Sequence, residues 1–441
     1  MRQVTDLLRE SRRSRIFFGA LAQSSLGTGA AVVALLLLAY ERFESPWAIG
    51  LVLLADVAPA MVLGPIFGAA ADRWSRRTCV VAADLIRAVA FLGIFLVDGF
   101  LPTVLLALLA GIGTGLFTPA ALASLPSVAG RERLAAASSL YGAVIDFGFI
   151  AGPGIAALLL LFTDPGTLLA LNAGSFAISA ALLVPLRFGA IAPGEGATDK
   201  PPSLLREARD GLVATAGMRG LRFVLVASAA ALFLGAMFNV AELLLAKDEL
   251  DAGEVGFSVL VTIYGIGFIA GSLSGAKGGA PPVLKSRYLM GLFLMSAGVL
   301  ASGAAPLLAV AVVTFLATGY GNGVMLVYER MLIQAAVPDD LSGRVFGVKD
   351  ALTAWAFAFG FLLGPVLLEL LGTRGMAMAA GAGGLVVWAV SCLGLRKPWW
   401  TETETEPVLW GAYDVLLNGA GADAVPHARA GEQSTHLVAG S

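Results

Sequence analysis

Apolar residues in this chain come in blocks close to the roughly 20 residues an α-helix needs to cross about 30 Å of hydrocarbon. Twelve such blocks can be read between charged or Pro/Gly-rich breaks: 16–39, 47–70, 78–98, 101–123, 134–161, 166–187, 221–246, 255–276, 286–304, 306–329, 345–369 and 374–395. A water-soluble globule is excluded by the charge needed to cover it. Asp, Glu, Lys and Arg make up 14% of the 441 residues, against about 25% in soluble proteins. The expected fold is an all-α membrane protein with twelve transmembrane helices.

Basic residues set the orientation. With both termini on one side, 24 of the 29 Lys and Arg residues fall in segments on that side and 3 on the other, namely Arg42, Lys247 and Arg374; Arg87 and Lys349 lie within spans. By the positive-inside rule the termini are expected in the cytoplasm of a plasma (inner) membrane. The Arg-rich start followed by an apolar run is expected to be the first span rather than a signal peptide. The cleavage-like Ala20-Leu21-Ala22 comes too early, and the run continues to Ala39.

Composition turns to Pro, Gly and charge over 188–220, a cytoplasmic linker in which Glu207, Arg209 and Asp210 suggest a short helix on the membrane surface. The polar tail after Trp400 is expected to be disordered. A weak internal repeat supports a six-plus-six division. Gly111, Gly113 and Gly115, a basic loop at Arg131–Arg133 and Gly152-Pro153 reappear as Gly319, Gly321 and Gly323, Arg344 and Gly364-Pro365. The expected organisation is an N-terminal six-helix bundle (1–187), the linker (188–220), a C-terminal six-helix bundle (221–397) and a tail (398–441). The two bundles would be related by a pseudo-two-fold axis.

The turn between the second and third spans carries the most information. Gly64 and Gly68 are spaced for close helix approach, and Asp72 sits at the membrane exit beside Arg73, Arg76 and Arg77. Read from chemistry alone, it is a rigid intracellular turn or a solvated positive loop. The stretch Gly68–Arg77 resembles the signature loop of the major facilitator superfamily, which implies gate roles for Gly68, Asp72, Arg73, Arg76 and Arg77. The stretch departs from that pattern at Trp74-Ser75. Gly148, Gly152 and Pro153 in the fifth span are similar to the Gly-Pro motif of proton-exchanging exporters, with Ala156-Ala157 where that motif ends in Gly-Gly. They imply close packing and a kink. Gln334, Val337-Pro338-Asp339, Gly343-Arg344-Val345 and Gly364-Pro365 resemble the drug, macrolide and siderophore exporter branch. The fourth span departs from proton-coupled exporters in having no basic residue: Ala107 stands where an Arg is expected before Gly111.

Ionisable residues inside a bilayer need a polar cavity, a partner or a proton. Asp146 lies about 18 Å into the fifth span at 1.5 Å per residue, with no basic neighbour in sequence. It reads either as a proton-coupling group or as a static carboxyl in the core. Asp56 and Glu242, the latter one turn after Asn239, are candidates for coupling or for an outer gate. Asp84 with Arg87, Glu329 with Arg330 and Lys349 with Asp350 are candidate ion pairs closing the cytoplasmic side. The resemblance implies that spans one, four, seven and ten surround a cavity. Its wall would include Gln23, Ser24, Thr28, Thr114, Thr118, Met237, Phe238, Asn239, Tyr320, Asn322 and Tyr328. Such a wall suits a hydrophobic or amphipathic molecule better than a sugar or a phosphorylated solute.

His427 and His436 both fall in the tail, and Cys79 and Cys392 are far apart in sequence, so no metal site is expected. No Gly-rich phosphate loop ends in Gly-Lys-Ser/Thr, so ATP drive is not expected either. The expectation is therefore a secondary transporter acting as a monomer, with no cofactor and no catalytic residues. It would exchange protons for a small molecule by alternating access, with membrane lipid but no nucleic acid as partner. An uptake carrier and an intramembrane enzyme are the alternatives.

Overall fold

A computed structural model describes residues 7–9, 11–186, 212, 213, 215–337 and 339–396. The expected surface helix near Glu207 and the tail from 398 lie outside the described residues, as does Pro338. Ten helices run α1 (Arg12–Phe43), α2 (Pro46–Arg73), α3 (Arg76–Leu96), α4 (Phe100–Ala129), α5 (Leu134–Leu159), α6 (Pro165–Leu183), α7 (Arg219–Leu244), α8 (Gly253–Leu273), α9 (Pro281–Gly303) and α10 (Leu308–Ala336). A further helical stretch, Asp339–Gly394, is divided by the non-helical backbone of Gly372 (φ 69°, ψ 172°) into α11 (339–371) and α12 (373–394). Its apolar part, Arg344–Gly394, has 51 residues, more than twice the ~20 that cross once, so the break at Gly372 makes it two spans. The described residues thus form twelve membrane-length helices, as the apolar blocks predict.

Helices α1 and α3 begin before those blocks because polar residues cap them outside the apolar run. Ser11 Oγ accepts the Ser14 amide at 3.1 Å to start α1, and Ser75 Oγ accepts the Thr78 amide at 3.1 Å to start α3.

The repeated glycines explain how each bundle closes. Gly111 and Gly115 on α4 bring α2 close, at the Asp56 carbonyl and at Ala60 and Phe67, while Gly113 between them faces Ala83 and Arg87 of α3. The second copy repeats this on α10. Gly319 and Gly323 approach the backbone of α8 at Tyr264 and Phe268, and Gly321 approaches α9 at Gly291 and Met295. In every case a Cβ would collide with a neighbouring helix, so the small-residue spacing sets the packing distance. The two halves use the same device on corresponding helices.

We call the end bearing Arg12, Arg76, Arg77, Arg131 and Arg330 the basic end and the opposite one the far end. The three basic residues that break the charge bias all have structural work at the far end. The Arg42 guanidinium donates to the Ile94 carbonyl at 2.9 Å and to that of Val97, covering the open C-terminus of α3. Arg374 does the same for α9, donating to Gly303 O at 3.2 Å and Ala305 O at 2.6 Å, and it pairs with Glu249 at 2.7 Å. Lys247 pairs with Glu41 at 3.3 Å and Glu254 at 3.8 Å.

Core packing divides along the same axis. One apolar cluster at the far end draws from both halves, joining Leu36, Leu37 and Ile49 to Met237, Val240, Leu243 and Phe361. Toward the basic end there are two separate clusters. One holds Phe17, Phe18, Val80, Phe117 and Leu125 of the first half; the other holds Leu221, Val224, Tyr288, Tyr328 and Leu332 of the second. The halves meet chiefly where α5 crosses α8 and where α2 crosses α11. Gly50 on α2 admits Phe361 and Pro365 of α11, and Gly154 on α5 meets Thr262 of α8.

Candidate functional site

Between the halves, below the far-end cluster, lies a cavity of about 390 Å³. Its wall comes from α1 (Gly29, Val32), α5 (Asp146, Phe149, Pro153) and α7 (Gly235, Phe238, Asn239, Glu242). The rest comes from α8 (Val261, Tyr264, Gly265, Phe268), α9 (Met295, Val299) and α10 (Thr318). The wall is mainly apolar and aromatic, with two carboxyls, one amide and two hydroxyls. Such a surface holds a ligand by apolar burial and fixes it with few polar contacts.

Helix α5 reaches the cavity because its glycines let α1 come close. Gly148 faces the backbone of Ser25, and Gly152 faces that of Gly29 and Ala30. Pro153 follows at the cavity wall and has no amide to donate to the Phe149 carbonyl one turn earlier. Gly364 packs on Val240 of α7, and Pro365 sits at Gly50 of α2. The Gly-Pro pairs therefore stand at α1–α5 and at α2–α11.

Of the residues expected in the cavity wall, Phe238 and Asn239 line it; the others do not, and local bonding gives the reason. Gln23 Nε2 donates to Ser175 O at 2.9 Å, turning it toward α6. Ser24 and Thr28 bond to backbone carbonyls of their own helix, at 3.2 Å and 2.9 Å. Met237 is buried in the far-end core. Tyr328 donates to Ser274 O at 2.9 Å, and Asn322 donates to the Tyr264 hydroxyl at 2.5 Å. Tyr320 packs its backbone on Gly271 of α8. Thr114 and Thr118 are exposed on α4, away from this cavity.

The contributors that sequence reading missed are mostly on α8 and α9. No charge marks them, and the apolar Val261, Phe268, Met295 and Val299 look like any lipid-facing residue until the crossing of α5 and α8 turns them inward.

Among the embedded charges, Asp146 and Glu242 face the cavity from opposite halves. Asp146 is exposed there, with Arg330 within electrostatic reach. Asp56 lies instead within the first half, in reach of Arg87. Asp84 and Arg87 pair across one helical turn in that half, both buried. The Arg87 guanidinium is held between the rings of Phe117 and Phe176, with centroids at 4.4 Å and 4.2 Å.

Glu329 and Arg330 make no ion pair among the described residues. Successive helical side chains point about 100° apart, so Glu329 is buried beside Ser228 while Arg330 is exposed. Lys349 does bond to Asp350, at 3.0 Å. None of these three pairs joins the two halves. Among the described residues, the bonds that do so lie at the far end: Tyr40 donates to Asp248 at 2.9 Å, Lys247 to Glu41 at 3.3 Å and Trp47 to Glu369 at 3.0 Å. Of the expected gate loop, Arg76 and Arg77 open α3, whereas the side chains of Asp72 and Arg73 and the surroundings of Gly68 lie outside what is described.

The family model of the Major Facilitator Superfamily matches residues 17–348. The Multidrug efflux pump Tap of Mycolicibacterium fortuitum is 29% identical over 402 residues, spanning 85% of this chain and 94% of the relative. Macrolide efflux protein A of Streptococcus pyogenes is 23% identical over 352 residues, spanning 77% and 85%. A solved bacterial homolog of the human lysosomal transporter Spinster, inward-facing and unoccupied, aligns with a TM-score of 0.67. That alignment covers 90% of this chain and 99% of the other at 14% identity, a likeness of fold.

Proposed function

Because this chain belongs to the Major Facilitator Superfamily, whose members are transporters and not enzymes, we propose that it is a proton-coupled exporter of hydrophobic or amphipathic small molecules. The observation that carries this is the mainly apolar cavity between two halves that, among the described residues, share an apolar core at the far end and keep separate cores toward the basic end. The named multidrug and macrolide efflux relatives favour export over uptake.

In this reading the basic end faces the cytoplasm of a bacterial inner membrane, both termini lie on that side, and one chain is the working unit. The far end is then the outer gate, sealed in the present state, and the cavity takes substrate from the cytoplasm or the inner leaflet. Rocking of the two bundles about the α5–α8 and α2–α11 crossings breaks the far-end bonds and opens the cavity outward. Asp72, Arg73, Arg76 and Arg77 then close the cytoplasmic side, with Gly68 allowing the approach. Asp146, in the cavity and mid-span, exchanges the driving proton.

Reconstitution tests the reading. Inverted vesicles given a proton gradient should accumulate a macrolide, and a protonophore should stop it. Asp146→Asn should lose gradient-driven flux while keeping exchange of substrate for substrate, and Asp72→Asn should slow both. Accumulation confined to right-side-out vesicles makes the protein an uptake carrier. Undiminished coupled flux in Asp146→Asn removes that residue from coupling.

A further inference from the structure

The two carboxyls in the cavity wall keep different company. Asp146 is exposed and has Arg330 in electrostatic reach. Glu242 is half-buried near the far end of the cavity, and its carboxylate has no hydrogen-bond or ion-pair partner among the described residues. The polar groups of the wall around it are Asn239 one turn earlier on α7, Tyr264 on α8, Thr318 on α10 and Asp146 on α5. The Tyr264 hydroxyl accepts from Asn322 Nδ2 at 2.5 Å, which leaves its own proton to donate into the cavity. No Lys, Arg or His is among the described lining residues.

A carboxylate in an apolar wall is costly without a countercharge, and here the described residues offer none while leaving room for a ligand. Phe149, Phe238, Tyr264 and Phe268 surround that room, and aromatic faces attract cations while tolerating apolar bodies. Resting on the transport reading above, we propose that Glu242 is the anchoring group for a single positive charge, such as a protonated amine, on an amphipathic substrate whose apolar body lies against Phe238, Phe268 and Met295. Asp146 is not that anchor, because Arg330 already stands near it. The same wall disfavours anions near Glu242, since it would set them beside a carboxyl with no basic side chain among the described lining residues.

The test uses two ions of matched shape, tetraphenylphosphonium and tetraphenylborate, and equilibrium binding to the purified full-length protein in lipid nanodiscs. The native protein should bind the cation at least about tenfold more tightly than the anion, a difference of about 1.4 kcal/mol. Glu242→Gln should weaken the cation about tenfold or more without weakening the anion. Glu242→Asp should recover part of the cation affinity, and Asp146→Asn should change it less than Glu242→Gln does. Thermal unfolding of each variant shows whether it is folded, and Glu242→Asp carries the test if Glu242→Gln is not. Failure of the native protein to bind the cation, equal binding of both ions, or an unchanged cation affinity in Glu242→Gln overturns the proposal. Cation binding through Glu242 without movement of any solute in proteoliposomes would overturn the export reading and leave this assignment standing. Export of a neutral solute by a protein that ignores the cation would do the reverse.

Discussion

The two ends of the bundle are joined in opposite ways. At the far end one apolar cluster runs through both halves, and Tyr40–Asp248, Lys247–Glu41 and Trp47–Glu369 stitch it at the rim. Toward the basic end each half keeps its own core, and the buried polar contacts there, Asp84 with Arg87 and Tyr288 with Ser228, stay within one half. The contrast separates two kinds of work. On the alternating-access reading proposed above, bonds within a half would hold a bundle together through every state, whereas bonds between halves would exist in one state and have to be weak enough to leave. Exposure follows that division: Asp84 and Arg87 side chains are 0% and 7% exposed, but Glu41 and Lys247 are 31% and 21% exposed.

The strongest attack on the comparison is to make the far end permanent. In a background lacking Cys79 and Cys392, Tyr40→Cys and Asp248→Cys joined by a short bifunctional thiol reagent should abolish transport while leaving substrate binding from the basic end intact. A reducible linker should restore flux when cleaved. Transport that continues with the far end bridged would mean that the halves do not separate there.

Next in size is the buried pair. Asp84→Asn leaves Arg87 between Phe117 and Phe176 without its countercharge, and breaking one side of a buried pair costs about 3–5 kcal/mol. Unfolding titrations should show a loss of that order with little change in which side the cavity opens to. A variant of normal stability but altered sidedness would move Asp84 and Arg87 from scaffold to gate.

Bonds across the rim should behave in the converse manner. Trp47→Phe removes an indole N–H donated to the Glu369 carboxylate, a bond to a charged group worth about 1.5–3 kcal/mol. It should raise labelling of a cysteine placed at Val32 by a membrane-impermeant reagent added on the far side, with unfolding scarcely changed. Lys247→Ala should do the same more weakly, because partly exposed ion pairs contribute about 0–1 kcal/mol. Equal loss of stability in both variants would erase the distinction between rim and core.

Much of this architecture was legible in the sequence because membrane physics writes it in length and composition. A span must be apolar for about 20 residues, so its existence can be counted, and basic residues mark one end. The glycines at 111, 113 and 115 and at 319, 321 and 323 were legible as a repeat. That they alternate between two neighbouring helices required the fold. The cavity was the least legible part. Polar residues such as Gln23, Ser24 and Tyr328 invite a lining role, yet in an apolar medium a polar side chain first satisfies itself on the nearest backbone, as these three do. Phe268 and Met295 carry no mark separating a cavity wall from a lipid face. Among the charges, sequence spacing put Glu329 beside Arg330, and helical geometry turned them apart.

Asp164 gives the smallest and most specific check, because it stands at the far end but its hydrogen bonds stay within one half. Its Oδ1 accepts the Thr167 amide at 2.9 Å and its Oδ2 the Thr167 hydroxyl at 2.6 Å, capping α6. Those bonds favour the ionised form and hold the carboxyl below its usual range. A group with a depressed folded pKa contributes stability above its unfolded value, about 3.9 for Asp, and loses it as pH falls through the lower folded value. Asp164→Ala should therefore cost about 1 kcal/mol near neutral pH, and the gap from the native protein should narrow as the solution is taken below the ordinary carboxylate range. Far-side labelling at position 32 should stay within about twofold of the native level, the scale of an exposed pair. A larger rise would mean that capping α6 also holds the two halves together, so that position at the far end, rather than bonding across the halves, decides what seals the cavity.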